Sequence, residues 1–223
     1  MNSCFSISLL LLFALASCTK PDNDPLKSLN ACKQEFVKEI LKQSSNESPF
    51  HMSYSLTTVL FSDNAISLFG QISIYDHLPH ERKRYEGLTF YKDQGKFVSI
   101  SLQELFSTSI EKEWLRNYCE QFLKTDAIAS SYFSGKTPLL TSLDYNLIHT
   151  FILEPEALCI IFQPYTVAGM TDTHPIIKIP YEKLKVHWNP SNPLVKCVPF
   201  TPTTDSWTEI SEESDELASS QKF

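Results

Sequence analysis

The sequence predicts an α+β fold: a mixed or antiparallel β-sheet packed by two main amphipathic helices. Three observations predict it. Two stretches place apolar residues at the three- and four-residue spacing of a helix face. Several short runs alternate with a period of two, as half-buried strands do. Residues 151–184 read as strand, tight turn, strand, Pro-Tyr corner, loop and third strand ending in Ile179-Pro180-Tyr181.

Composition limits what such a domain can do. The chain has 223 residues, 42% of them apolar, enough for one domain with a real core. A formal charge of −7 excludes sequence-independent nucleic-acid binding, which needs a basic face to displace counterions. Only five glycines are present, so turns must lean on Pro, Asn, Asp and Ser.

The elements follow in order. Residues 1–17 read as a leader. Its uncharged apolar run, residues 5–16, is too short to span a bilayer as a helix. Leu15-Ala16-Ser17-Cys18 resembles a bacterial lipobox, which implies cleavage before Cys18, lipidation of its thiol and attachment to the bilayer. The leader carries no Lys or Arg before its apolar core, and an ordinary secretory signal is the alternative. Thr19, not Asp, follows the cysteine, which favours the outer membrane over inner-membrane retention. Residues 18–25 form the tether, and the domain proper spans 26–188.

Asp24-Pro25 reads as an N-cap followed by Pro at the first helical position. Leu29, Cys32, Phe36, Val37, Ile40 and Leu41 then make one helix face. Strands are expected over 52–61 and 65–75, turning at Ser62-Asp63-Asn64. Residues 76–86 read as a charged loop that holds the basic cluster Glu81-Arg82-Lys83-Arg84. Residues 88–92 and 97–102 flank a hairpin turn whose Gly95 accepts positive φ. One helical turn is expected over 103–106. Thr108-Ser109-Ile110-Glu111 has capping-box spacing and starts the second helix, whose face is Ile110, Trp114, Leu115, Tyr118, Cys119, Phe122 and Leu123.

Residues 130–143 read as a loop, 147–153 and 157–163 as a strand pair, 176–179 as a strand and 185–188 as another. Four prolines fall within 189–202, and residues 201–223 then hold six acids, Asp205, Glu209, Glu212, Glu213, Asp215 and Glu216, against Lys222 alone. Residues 189–223 therefore read as a Pro-rich, then acidic, disordered tail.

Chemistry-bearing motifs are weak. Gly135-Lys136-Thr137 ends like a phosphate loop, but Ser130 stands where a Gly is required. Ser109-Ile110-Glu111-Lys112 and Ser62-Asp63-Asn64 match S-x-x-K and S-D-N in the wrong order, with no K-T-G. A cap and a turn explain both. His77 and His80 share a loop, His51 and His174 lie elsewhere, and no carboxylate completes a zinc set. No metal, cofactor or catalytic residue is expected. If Cys18 is lipidated, Cys32, Cys119, Cys159 and Cys197 remain, and three disulfide pairings are open in an exported compartment.

Pro164-Tyr165 stands apart. It ends the most apolar strand, and tyrosine offers a large ring with a polar tip, as residues that anchor recognition loops do. The competing reading is a packed strand-end corner.

Around these residues, Phe162-Gln163-Pro164-Tyr165-Thr166-Val167-Ala168 and Ile179-Pro180-Tyr181-Glu182-Lys183-Leu184, with Leu88-Thr89-Phe90 before them, are similar to one extracytoplasmic domain family. That family is shared by the lysozyme-sensing anti-sigma factor RsiV and the non-catalytic part of the peptidoglycan deacetylase PdaC. The resemblance covers about residues 52–188. Here Gly169 replaces the Pro that usually follows Tyr-x-Val-Ala, and Thr171-Asp172-Thr173-His174-Pro175 replaces a Gly-containing segment.

The resemblance implies a binding module and neither deacetylase nor anti-sigma activity. The expected ligand is a lysozyme-like muramidase or peptidoglycan, held by Pro164, Tyr165, Val167, Ala168 and Met170. The alternatives are a structural envelope lipoprotein working through disulfides or its acidic tail, and a cell-wall-modifying enzyme.

Overall fold

Pro25 opens the first helix, α1 (Pro25–Ser44), as its fixed φ suits the first helical position. The computed structural model describes residues 25–44, 51–75, 81–126, 129–130, 133, 141–167, 175–188, 193–196, 198 and 209–212. The leader, Cys18, Asp24, the His77–His80 loop, Gly135-Lys136-Thr137, Ala168, Met170, His174 and Cys197 lie outside the described residues.

After α1 come β1 (His51–Phe61), β2 (Ala65–Tyr75), β3 (Arg82–Asp93) and β4 (Lys96–Ile100). A one-turn helix, α2 (Leu102–Leu105), and the long α3 (Ser109–Thr125) follow. A 3₁₀ turn (Tyr145–Leu147) leads into β5 (Thr150–Leu153), β6 (Ala157–Ile161) and β7 (Ile176–Pro180). A helical turn (Tyr181–Leu184), a 3₁₀ turn (Pro193–Lys196) and β8 (Glu209–Glu212) complete the order. Among the described residues the strands form two antiparallel sheets, β4-β3-β2-β1-β8 and β5-β6-β7.

The period-two pattern sorts each sheet into two faces. Leu56, Ile66, Leu68, Ile72, Ile74 and Phe90 of the larger sheet meet Leu29, Cys32, Phe36 and Ile40 of α1. Gly70 lets the helix come this close: a Cβ there would lie 2.5 Å from the Phe36 ring. On the opposite face Val59, Phe69 and Tyr85 meet Ile152, Cys159 and Ile161 of the smaller sheet. The other face of that sheet, with Phe151, Leu158, Ile160, Phe162 and Ile177, packs on Leu115, Cys119 and Leu123 of α3. Each such side chain contributes about 1.5–3 kcal/mol by leaving water. The layers are thus α1, large sheet, small sheet, α3.

Helix starts and turns are local and follow the sequence. Thr108 caps α3 reciprocally with Glu111, and Ser101 caps α2 with Glu104. Gln94 and Gly95 both take positive φ, 47° and 82°, as a two-residue hairpin turn requires.

Five expectations are corrected. Residues 82–86 are strand: they pair with β2 from Ile74–Arg82 to Gly70–Glu86, which satisfies their backbone and lets Arg84 and Glu86 pair beside each other. The α3 face is turned: Glu111, Leu115, Cys119 and Leu123 are buried, whereas Ile110 is 79% exposed and Phe122 38%. Position 110 lies more than a quarter turn from the centre of the buried stripe at 100° per residue. Residues 147–149 precede β5, because Asp144 caps the 3₁₀ turn first.

Residues 185–188 are not a strand. Trp188 and His187 donate to the Leu184 carbonyl, continuing the turn that Tyr181 and Leu184 bury, and His187 stacks on Trp114 at 4.1 Å. The tail read as disordered contains structure as well. Leu194 is fully buried in the core, and β8 pairs with β1 from Thr57 to Tyr54, satisfying that strand's outer edge.

Cys32, Cys119 and Cys159 are free and buried, so no disulfide joins any two of them. Burial pushes each thiol up to about 12, helped by Glu35 at Cys32 and Glu154 at Cys159. A thiol reagent at about pH 8 should label none of the three in the folded chain and all three in denaturant, read by peptide mass. Labelling of any of them in the folded state would refute their placement.

Candidate functional site

The corner after β6 is built from Gln163 to Val167. Thr166 N donates to Gln163 O at 3.3 Å, and Thr166 Oγ1 donates to the same carbonyl at 2.7 Å, closing a four-residue turn. Pro164 supplies the preset φ of the second position. The third position requires positive φ, which Gly or Asn normally provides. Here Tyr165 takes it, at φ 65°, and stands 57% exposed. A left-handed conformation costs a residue with a Cβ about 1–2 kcal/mol. The fold therefore holds a strained, solvent-facing aromatic side chain at a strand end, an arrangement that gathers at binding sites.

What holds the corner is Gln163. Its Oε1 accepts from Tyr85 N at 3.0 Å, and its Nε2 donates to Tyr85 O and to Thr150 Oγ1. Tyr85 lies on the part of β3 that β4 does not reach, since β4 pairs only with Thr89 to Asp93. The side-chain amide thus acts as one residue of an added strand and ties the large sheet, β5 and the corner together. Val167, fully buried, pins the far side.

Charge gathers at the base of this joint. Arg84 Nε lies 3.1 Å from Glu86 Oε1, close enough for an ion pair though not aligned as a hydrogen bond. Burial pushes the Glu86 carboxyl up from its ordinary value. Arg84 and His149 pull it back, and Glu39 of α1 adds to the rise. His149 immediately precedes Thr150, which Gln163 holds.

The sequence-predicted contact residues separate here. Tyr165 is exposed and Pro164 half-buried at the corner, as expected of contact residues. Val167 is core: its side chain joins the α3-facing cluster and is unavailable to a ligand. Ala168 and Met170 lie outside the described residues. Gln163 was legible only as part of a motif. The signal that marks it is an amide ending an otherwise apolar strand, where a polar group needs partners.

The neighbouring motif residue Tyr181 is structural: its hydroxyl donates to Glu154 O at 2.6 Å and locks the β5–β6 turn. Ser62 serves its turn, accepting from Ala65 N at 3.0 Å. Among the described residues, no three His, Cys, Asp or Glu side chains are grouped to hold a metal ion.

A family model described as "Protein of unknown function (DUF3298)" matches residues 103–182, which include α3, both strands flanking the corner and the corner itself. The chain is also similar to two solved structures. One is a DUF3298 family protein from Pseudomonas aeruginosa, 18% identical, covering 68% of this chain and 68% of that one, with a TM-score of 0.46. The other is a member of the same family from Bacteroides fragilis, 14% identical, covering 78% of this chain and 73% of that one, also at 0.46. No curated protein matches the chain.

Proposed function

We propose that this chain is a lipid-tethered protein of the bacterial outer membrane whose folded domain is a non-catalytic binding module of the RsiV/PdaC type. Its ligand is a lysozyme-like muramidase or peptidoglycan, engaged through the Gln163–Thr166 corner. Tyr165 carries the reading. An exposed tyrosine costs free energy in a left-handed conformation, yet the turn around it is held by three side-chain hydrogen bonds from Gln163. A rigid aromatic ring on a fixed support loses little entropy on binding, which is what an interface anchor needs. The tether rests on the spacing of Leu15-Ala16-Ser17-Cys18.

The full chain, incubated with lysozyme and with purified peptidoglycan, should retain one of them. Tyr165→Ala should weaken that binding about thirtyfold, in line with the ~2 kcal/mol of an interface hot spot. Its far-ultraviolet circular dichroism should be unchanged. Retention of neither ligand by the wild type, or equal retention by Tyr165→Ala, would remove the proposal.

A further inference from the structure

At the end of the large sheet where its turns lie, the first turn of α1, the β1–β2 turn and the β3–β4 turn surround a cavity of about 240 Å³. That is below the range of sites for drug-sized ligands and suits a small polar molecule. Its apolar wall is Phe61, Phe97 and Pro25; its polar rim is Ser28, Asp63 and Lys92. Among the described residues neither Asp63 nor Lys92 is in an ion pair. Lys92 Nζ instead lies over the Phe97 ring, 5.9 Å from its centre.

Both charged side chains are exposed, and the backbone that carries them is fastened on each side of the cavity. Ser62 Oγ donates to Ala65 O at 3.1 Å and accepts from Ala65 N at 3.0 Å, which locks the turn carrying Asp63. Lys92 N donates to Asn64 O at 2.8 Å, fastening β3 to that same turn. Among the described residues, one anion outside any ion pair and one cation held only over an aromatic ring thus share the rim of a single cavity with an apolar wall.

We propose that this cavity binds a small zwitterion, its ammonium group at Asp63 and its anionic group at Lys92. Phosphoethanolamine, free or as a lipid headgroup, has this chemistry. The headgroup is favoured as its source because Pro25 stands seven residues after Cys18, within about 25 Å of extended chain. This choice of source rests on the lipid-tether reading above.

Titration calorimetry of the full chain in detergent tests it, with phosphoethanolamine as the probe. Saturable binding is expected, with ethanolamine alone and inorganic phosphate alone weaker by about fivefold or more. Asp63→Asn and Lys92→Gln should each weaken phosphoethanolamine about fivefold or more. Tyr165→Ala should leave it unchanged, which separates this site from the corner. Glycine binding as tightly as phosphoethanolamine would keep the zwitterion site and overturn the headgroup. No saturable binding by the wild type, or full binding by both charge variants, would overturn the site itself.

Discussion

Gly87→Ala is expected to destabilise the domain by about 3 kcal/mol or more. Gly87 sits on β3 against the backbone of β5, and an added Cβ would lie 2.1 Å from the carbonyl oxygen of Phe151 and 3.1 Å from Ile152 Cγ2. The obstacle is backbone, so relief requires β5 to move. β5 is held on its other side by β6 through Phe151–Ile160 and Ile152–Cys159. Its Leu153 N donates to Ser67 Oγ at 2.8 Å, so the strand is also fastened to the large sheet.

Gly70→Ala provides the comparison. Its Cβ would meet the Phe36 ring at 2.5 Å, but that ring can shift with α1, so a smaller loss is expected. Urea denaturation of the wild type and both variants checks the order. Wild-type stability in Gly87→Ala would mean that the sheets do not approach as described.

Gln163→Leu is expected to cost about 2–3 kcal/mol, from three hydrogen bonds worth roughly 1 kcal/mol each. Two go to the backbone of Tyr85 and one to Thr150 Oγ1, whose residue is 2% exposed. Leucine matches the volume but accepts and donates nothing. Because Gln163 also carries the turn that presents Tyr165, ligand binding should weaken in this variant as well. Gln163→Glu keeps the acceptor but sets a carboxylate oxygen against the Tyr85 carbonyl, so it should lose at least as much as Gln163→Leu. A loss below about 0.5 kcal/mol in Gln163→Leu would show that the amide does not join the sheets.

Much of the fold was legible because its causes are local. The α1 face, the capping box of Thr108 and Glu111, the alternation of residues 65–75 and the turn at Gly95 depend on neighbours within a few positions. Residues 82–86 were misread for the complementary reason. Glu81-Arg82-Lys83-Arg84 has the composition of a solvated loop, and only pairing with Ile72 and Ile74 of β2 makes it strand. The α3 face was found but turned. Ile110 and Phe122 are apolar and helically spaced, yet the small sheet covers the stripe through Leu115, Cys119 and Leu123.

The candidate site divides the same way. Pro164-Tyr165 could be picked out as a corner from its place at the end of an apolar strand. Its left-handed backbone could not, because tyrosine has no preference for that conformation. Nor could the opposite fate of Val167, two residues on, which is buried against the α3 side of the core.

Local pattern in the chain thus marks most of the helices and strands and their caps, and places a tyrosine at the end of the most apolar strand. Only the packed molecule places Gly87 against the backbone of β5, joins residues 78 positions apart through Gln163, and turns Tyr165 toward water. Periodicity and capping are written within a turn or a pleat of the chain. Close approach, shared hydrogen bonds and exposure belong to pairs of segments, and exist only once the segments have met.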